Sequence, residues 1–285
     1  MIVRTRITAV VVLAALSLQL FSTNAQAAAP HRIISLSPSA TEVLFAIGAG
    51  NQVIAVDDLS NFPANAPMTA LSAFTPNVEA LVTYKPDLVI LNSTATKAED
   101  VRAQLTKLNI PVFWEVSPNS LSEAYAEIAA LGKISGRTAS ASEVVAGMKK
   151  RIDAAIKAHK RGQSVKIFHE LDNTLYSATS ETFIGSVYKS FGLTNIADAA
   201  ASADSYGYPQ LTNEYVIKAN PRIIYLADAE YGENGKSVAK RAGWKNLVAV
   251  RKNQVVSLPT DIPSRWGPRL ADFYEFIGAS LKTVG

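Results

Sequence analysis

The sequence of 285 residues contains no cysteine and only three histidines. Without cysteine, the chain has neither a disulfide framework nor a lipobox thiol to which a lipid could be attached. The histidines, His31, His159 and His169, stand far apart in the sequence, whereas a metal site needs three or four converging ligands. We therefore expect no dedicated zinc or manganese site and no bound cofactor.

Common catalytic signatures are also absent. The sequence has no G-x-S-x-G elbow, no glycine-rich phosphate loop and no H-E-x-x-H pair. His169, Glu170 and Asp172 resemble a catalytic cluster, but neighbouring residues of a β-strand point to opposite faces of the sheet. We therefore expect that the chain is not an enzyme, and an exported hydrolase that uses His169 and Glu170 is the least favoured alternative.

Long apolar runs are missing except at the N-terminus. There, Arg4 and Arg6 precede an apolar run from Ile7 to Phe21, and Ala25-Gln26-Ala27 supplies the small residues that signal peptidase requires. This run is shorter than the ~20 residues that span a bilayer. Residues 1–27 are therefore predicted to be a cleaved signal peptide rather than a membrane anchor, and we expect the mature protein in the periplasm.

A strong net charge is missing as well. The formal charge is +4, and cleavage of the signal peptide would remove Arg4 and Arg6, which leaves 4 − 2 = +2. Such a small excess of basic residues is not a signature of nucleic-acid binding. With 48% hydrophobic and 18% charged residues, the composition is that of a globular protein. We expect a monomer with no nucleic-acid partner.

A repeat organises the residues that are present. Residues 79–91 (EALVTYKPDLVIL) and 214–226 (EYVIKANPRIIYL) align without a gap at an offset of 214 − 79 = 135. Each copy reads as a short helix that begins at a glutamate, a turn that ends at Pro86 or Pro221, and an apolar run suited to a strand buried on both faces. Such units also recur in α/β proteins without duplication, but the ungapped offset favours two lobes of one design.

Helical and strand patterns alternate along the rest of the chain, which is typical of an α/β fold with parallel sheets. The predicted N-terminal lobe spans residues 31–136, and the predicted C-terminal lobe spans residues 163–285. Between them, the apolar residues from Ser142 to Arg161 fall on one helical face without a proline. One long helix within residues 137–162 is therefore predicted to join two Rossmann-like lobes, with a ligand cleft between the lobes.

Polar and aromatic residues follow the predicted strands, at the sheet edge where ligands bind in parallel α/β folds. The candidate ligand-binding residues in these loops are Ser37, Asp58, Phe74, Asn92, Tyr176, Tyr208, Asp261, Arg265 and Trp266. Ser39 lies in the first of these loops and is predicted to cap a helix that begins at Thr41. Aromatic rings with a few polar groups suit a large, flat, partly apolar ligand, because the rings stack while the polar groups orient it.

Four motifs carry a resemblance to a known family. They are RIISLSPSATE (residues 32–42), PNVE (76–79), KPDLVI (85–90) and GPR (267–269). Together they resemble the helix-linked periplasmic binding proteins that deliver iron complexes and corrinoids to ABC importers, and within that family the cobalamin-binding branch. The first three motifs are shared with siderophore and haem binders, so they identify the superfamily rather than the ligand.

The resemblance implies which residues contact a ligand. In the cobalamin-binding proteins an Asp-x-x-x-Arg segment near the C-terminus contacts the ligand's side chains, and Asp261 and Arg265 have that spacing. Phe74 and Tyr208 match two aromatic positions of the branch. The better-known member of the branch has tryptophan at both positions, so the smaller rings here offer less stacking area.

The resemblance also implies a partner. The family uses one exposed glutamate on each lobe to bind arginines of a dimeric permease, and Glu79 and Glu214 match those positions. Two equivalent lobes that meet two equivalent subunits would explain the repeat. The implied function is delivery of cobalamin or a related corrinoid to an ABC importer. The alternative ligand is a ferric siderophore or haem, with Arg265, Arg269 and the tyrosines as its contacts.

Overall fold

The computed structural model describes residues 29–161, 165–259 and 261–283, so the predicted signal peptide lies outside the described residues. The strands, in chain order, are β1 Ile33–Leu36, β2 Val53–Asp57, β3 Met68–Leu71, β4 Leu88–Asn92, β5 Val112–Glu115, β6 Lys166–Glu170, β7 Thr194–Asn195, β8 Ile223–Leu226 and β9 Val255–Ser257. The α-helices are α1 Pro38–Ala46, α2 Val78–Thr83, α3 Ala98–Lys107, α4 Leu121–Ile134, α5 Thr138–His159, α6 Phe183–Ser190, α7 Asn213–Ala219, α8 Gly235–Lys240, α9 Val248–Arg251 and α10 Leu270–Ser280.

The strands form two parallel sheets. Strands β1 to β5 are arranged in the order β3-β2-β1-β4-β5, and strands β6 to β9 in the order β7-β6-β8-β9. The inner strands β1 and β8 consist of buried residues, as expected for strands covered by helices on both faces. The predicted α/β fold with two lobes of parallel strands is confirmed, whereas the domain boundaries stay a prediction.

Several elements differ from the sequence prediction. The edge strands β3 and β7 are not predicted, because β3 is half exposed and β7 has only two residues, so neither has an apolar pattern. Helices α8 and α9 are also not predicted. Helix α5 begins at Thr138, before the predicted start at Ser142, because the residues between these two positions include no proline or glycine.

The cap of helix α1 differs from the prediction as well. Ser37, rather than Ser39, is the cap, and its side chain accepts a hydrogen bond from the Ala40 N–H at 3.2 Å. Pro38 explains the difference, since a proline favours the first position of a helix and thereby places the cap at Ser37, two residues before the predicted one. The Ser39 hydroxyl instead accepts a hydrogen bond from the Trp266 N–H at 3.3 Å.

The sequence repeat has a matching backbone geometry. Asn77 caps helix α2 and Thr212 caps helix α7, and each side chain accepts a backbone hydrogen bond at an offset of 212 − 77 = 135. Lys85 and Asn220 both have a left-handed backbone, with φ of 50° and 49°, directly before the proline of each copy. A non-glycine residue rarely adopts this conformation, so its occurrence at equivalent positions supports duplication of one unit.

The two lobes share one hydrophobic core. Its central cluster includes residues of both sheets, such as Ile33 of β1 and Tyr225 of β8, and residues of helices α1, α4, α5, α6 and α10. Helix α5 packs against both α4 and α10. Two smaller clusters involve other residues of the two sheets. Because the central cluster is continuous, separating the lobes would expose apolar surface at a cost of about 25 cal/mol per Å².

The chain returns to the N-terminal lobe before its last helix. We call residues 261–269 the return segment. Its first residue, Asp261, accepts a hydrogen bond from Asn61 Nδ2 at 2.8 Å, and the Trp266 backbone N–H donates to Ser39 Oγ. The return segment is therefore held to the N-terminal lobe at two places before helix α10 begins.

The third attachment of the return segment is an ion pair. Arg269 binds both carboxylate oxygens of Glu42 in α1, with Nε 3.0 Å from Oε2. The Glu42 side chain is 2% exposed and the Arg269 side chain 17%. The Arg269 guanidinium also lies 4.1 Å from the centre of the Phe62 ring, a favourable cation–π contact.

Removal of one partner from this pair should destabilise the fold strongly. In Glu42→Gln, the guanidinium stays largely buried without a carboxylate, and we expect the free energy of unfolding to fall by about 3 kcal/mol. Glu275→Gln is the matched control, because its pair with Arg151 is 43–47% exposed and should contribute less than about 1 kcal/mol. Urea denaturation of both variants checks this, and equal losses would contradict it.

Candidate ligand-binding site

A cavity of about 630 Å³ lies between the two lobes. Residues 117–119, which follow β5, line it on the N-terminal side, and residues 181–184 and 206–208 line it on the C-terminal side. Pro263, Ser264 and Trp266 of the return segment also line it, as do His169, Leu171 and Ala227. Its volume is within the usual range for small-molecule sites, about 300 to 1,000 Å³. The cavity lies where the sequence predicts a ligand cleft.

Aromatic side chains are concentrated in and beside this cavity. Of the predicted ligand contacts, Tyr208 and Trp266 line it, and Tyr208 is 46% exposed. Tyr206, which is not among the ligand contacts predicted from the sequence, also lines the cavity and is 87% exposed. The clustering of Ser205, Tyr206 and Gly207 before a proline is a loop signal that could have drawn attention to it.

Seven of the nine predicted contacts are not in the cavity lining, and three of these seven are exposed. Phe74 and Tyr176 are 64% and 42% exposed, and Asp58 is exposed as well. The Tyr176 backbone forms an isolated antiparallel bridge with Gln210, two residues beyond Tyr208. The role of these residues as ligand contacts stays a prediction.

Asp261 and Arg265 lie together on the return segment, beside the cavity. Arg265 Nη2 is 3.4 Å from Asp261 Oδ1 and 3.3 Å from the Leu59 carbonyl oxygen. Arg265 Nε is buried and has no hydrogen-bond partner among the described residues. Asp261 and Arg265 are therefore paired with each other, one of the guanidinium N–H groups is unpaired, and the role of the two residues as ligand contacts stays a prediction.

Ser37 and Asn92 are brought together by a residue that the sequence reading missed. Glu115, the last residue of β5, is fully buried. It accepts hydrogen bonds from Ser37 Oγ at 2.6 Å and from Asn92 Nδ2 at 3.0 Å. Glu115 directly follows the apolar Val112-Phe-Trp run, but a glutamate at a strand end gives no sequence signal that distinguishes a buried acid from a solvated one. The roles of Ser37 and Asn92 toward a ligand stay predictions, since these donors bind the protein itself.

A second carboxyl group lies beside Glu115. Glu127 of α4 and the Trp266 indole both contact it, although Glu127 Oε1 and Trp266 Nε1 have no hydrogen bond of normal geometry to a described residue. Burial raises the pKa of Glu115. Burial, followed by the charge of Glu115, raises the pKa of Glu127 to about 9. The two glutamates, which we call the carboxyl pair, therefore hold a proton at neutral pH.

His169 and Glu170 point to opposite faces of β6, as predicted. The His169 ring is buried in the cavity lining, with Nδ1 2.8 Å from the Tyr188 hydroxyl oxygen, and its Nε2 has no partner among the described residues. Glu170 accepts two hydrogen bonds of 2.6 Å from Arg241. Burial lowers the pKa of His169 to about 4, so this imidazole is neutral at physiological pH.

Glu79 and Glu214 are exposed and lie outside the cavity lining. Each is the second residue of its helix, α2 or α7, rather than the first, because Asn77 and Thr212 provide the caps. A carboxylate at this position is stabilised by the helix dipole. The two acids therefore occupy equivalent places on the two lobes.

Metal-binding clusters and membrane-spanning helices are both absent from the described ranges, 29–161, 165–259 and 261–283. These residues include no group of three or more His, Cys, Asp or Glu side chains arranged to hold a metal ion. Within the same ranges, no helix has both the length and the apolar character needed to cross a membrane.

The family follows from comparison with known proteins. A family model described as a periplasmic binding protein matches residues 33–262. The chain belongs to the periplasmic binding protein family. It is 30% identical over 259 residues to an uncharacterised ABC transporter substrate-binding lipoprotein of Bacillus subtilis (strain 168), covering 88% of this chain and 80% of the relative.

Solved structures of this family have the same fold. The crystal structure of a periplasmic vitamin B12-binding protein of Vibrio cholerae is 25% identical, with a TM-score of 0.73, covering 89% of this chain and 97% of that chain. A periplasmic haem-binding protein from Roseiflexus sp. RS-1, in apo form, is 21% identical, with a TM-score of 0.75 and coverage of 90% and 99%. The chain therefore shares the fold of these two periplasmic binding proteins.

The buried imidazole of His169 should make stability depend on pH. Its pKa is about 4 in the folded protein and about 6.5 in an unfolded chain, so stability is present above pH 6.5 and is lost as the pH falls toward 4. Between pH 7 and pH 5 this group should cost about 2 kcal/mol of stability. His169→Gln should therefore lose less stability than wild type over this interval.

Urea denaturation at the two pH values measures this difference, and carboxyl groups that titrate in both proteins cancel in the comparison. His31→Gln is the control, because His31 is exposed, and it should behave as wild type. An equal loss of stability in wild type and His169→Gln would show that the imidazole does not titrate on unfolding.

Proposed function

We propose that this protein is a periplasmic substrate-binding protein that delivers cobalamin or a related corrinoid to an ABC importer. The observation that carries the proposal is the cavity between the lobes, which is lined by Tyr208 and Trp266 and flanked by Asp261 and Arg265. The similarity to the Vibrio cholerae vitamin B12-binding protein supports the choice of ligand. The sequence features of residues 1–27 support a periplasmic location.

The contacts proposed for a corrinoid divide into stacking and polar groups. Phe74 of the N-terminal lobe and Tyr208 of the C-terminal lobe are both exposed rings, so they are free to stack on a flat macrocycle. Arg265 has an unpaired buried N–H, which can donate to the amide oxygens at the edge of a corrin. Asp261 is proposed to accept from the same amides.

The remaining proposed contacts differ in whether they line the cavity. They are Ser37, Asp58, Asn92, Tyr176 and Trp266. Trp266 lines the cavity, and Ser37 and Asn92 are bound to Glu115 below it. We therefore assign Ser37 and Asn92 an indirect role, through Glu115, in addition to any contact with the ligand.

A ferric siderophore or haem is the second candidate ligand. Tyr206 favours it, because a phenol that is 87% exposed in the cavity lining suits coordination of ferric iron. Arg269 argues against it, because its guanidinium is engaged by Glu42 and is therefore not free to bind an anionic ligand group.

Docking on a dimeric permease is proposed for Glu79 and Glu214. Both are exposed and occupy equivalent positions on the two lobes. Two equivalent acids can pair with arginines on two equivalent subunits. Neither residue lines the cavity, so docking and ligand binding should be separable.

Loss of a stacking ring or of the polar donor should weaken cobalamin binding. We expect Phe74→Ala and Arg265→Ala each to raise the Kd for cyanocobalamin at least tenfold in calorimetry, because a buried ring or a charge-assisted hydrogen bond contributes more than about 1.4 kcal/mol. Tyr231→Ala, which removes a ring that is 83% exposed and outside the cavity lining, should leave the Kd unchanged.

The visible absorption spectrum of the protein after incubation with each ligand tests the choice between candidates. A corrinoid, a haem and a ferric catecholate give different spectra. If wild type retains haem or a ferric siderophore and not cobalamin, the second candidate replaces the first.

The double variant Glu79→Ala with Glu214→Ala should keep its affinity for the ligand and lose uptake through the reconstituted permease. The loss is expected because charge-assisted contacts steer and hold the complex, and salt should weaken them. Glu143→Ala with Glu230→Ala, which removes two other exposed acids, is the matched control and should transport normally. Normal uptake by the first variant would show that Glu79 and Glu214 stabilise their helices and do not dock on the permease.

A further inference from the structure

The carboxyl pair and the Trp266 indole form a buried group just behind the cavity. Glu115 is fully buried, and Glu127 Oε1 and Trp266 Nε1 are buried without a hydrogen bond of normal geometry to a described residue. Trp266 belongs to both environments, because its side chain contacts the carboxyl pair and the residue lines the cavity. A change in the protonation of the carboxyl pair can therefore alter the cavity wall through the Trp266 side chain.

The groups that face the pair come from four elements. Ser37, before α1, and Asn92, at the end of β4, donate to Glu115. Glu127 comes from α4, and Trp266 comes from the return segment. Among the residues that the structure describes, the charged group that acts on Glu127 is Glu115, which is another acid rather than a cation.

Two further charged groups lie nearby and are already engaged. Glu123, one turn before Glu127 in α4, accepts a hydrogen bond from the Asn119 N–H at 2.8 Å. Arg265, next to Trp266, is paired with Asp261. Whether a proton is bound in this region therefore depends on Glu115 and Glu127 themselves.

Two carboxylates in contact, of which Glu115 is fully buried and Glu127 half-buried, repel each other strongly when both are ionised, so one proton is kept between them. Both oxygens of Glu115 already accept hydrogen bonds, which favours its charged form. The proton therefore resides on Glu127, and Glu115 remains the acceptor toward which the indole N–H is directed.

We propose that Glu115 and Glu127 are positioning residues, which hold the Trp266 indole in the cavity wall through one shared proton. When the proton is lost, the two carboxylates repel each other and the indole loses its fixed place. Ligand affinity is then highest with the proton bound and declines as the proton leaves. The statement about affinity rests on the proposed function, whereas the link between the proton and the indole does not.

The link is tested without a ligand, by 19F NMR of the full-length protein labelled with 5-fluorotryptophan. The chain has three tryptophans, and Trp266→Phe identifies the resonance of interest. In wild type this resonance should shift between pH 7 and pH 10.5 with a midpoint near the pKa of about 9 of Glu127. In Glu127→Gln, which mimics the protonated acid, the shift should be absent.

The control is Glu123→Gln, one turn away on the same helix, which should titrate as wild type. Circular dichroism verifies the fold of each variant, and Glu127→Leu replaces Glu127→Gln if the latter does not fold. A Trp266 resonance that does not shift in wild type, or that shifts equally without Glu127, overturns the proposal.

Affinity is measured by calorimetry with cyanocobalamin at pH 7, 9 and 10. Wild type should bind about tenfold more weakly at pH 10 than at pH 7, since a proton with a pKa near 9 is lost over this interval, and Glu127→Gln should bind equally at each pH. Equal pH dependence in the two proteins overturns the positioning role. If wild type does not bind cyanocobalamin at any pH, this contradicts the proposed function instead. The 19F NMR titration then tests the positioning role by itself.

Discussion

The continuity of the hydrophobic core between the lobes is the constraint on which the rest of the structure depends. Helix α5 packs against α4 and α10, and the central cluster includes residues of both sheets. Opening the lobes by a large angle would expose this surface. The cavity is therefore largely pre-formed, and its chemistry is set by the loops at its mouth rather than by lobe closure.

The polar groups at the cleft divide into those bound to the protein and those left unpaired. Ser37 and Asn92 are bound to Glu115. In contrast, Arg265 Nε and His169 Nε2 are buried and have no partner within the described ranges. Unpaired buried nitrogens are costly, and a ligand with hydrogen-bonding groups at its edge would relieve that cost at the cleft.

Features that are local in sequence were predictable. The apolar runs of β1, β4 and β8 and the repeat at a fixed offset follow from residues that are neighbours in the chain. Glu115 and Glu127 were not predicted, because a single glutamate at a strand end or within a helix has no local pattern that distinguishes a buried acid from a solvated one. Their meeting depends on how α4 packs against the N-terminal sheet.

The ion pair between Glu42 and Arg269 has a consequence for the order of folding. The two residues are 227 positions apart, and the arginine follows all the strands of the C-terminal sheet in the chain. Until the return segment arrives, the N-terminal lobe contains a carboxylate without its cation, and closing so long a loop is slow. The lobe that is synthesised first is therefore completed last.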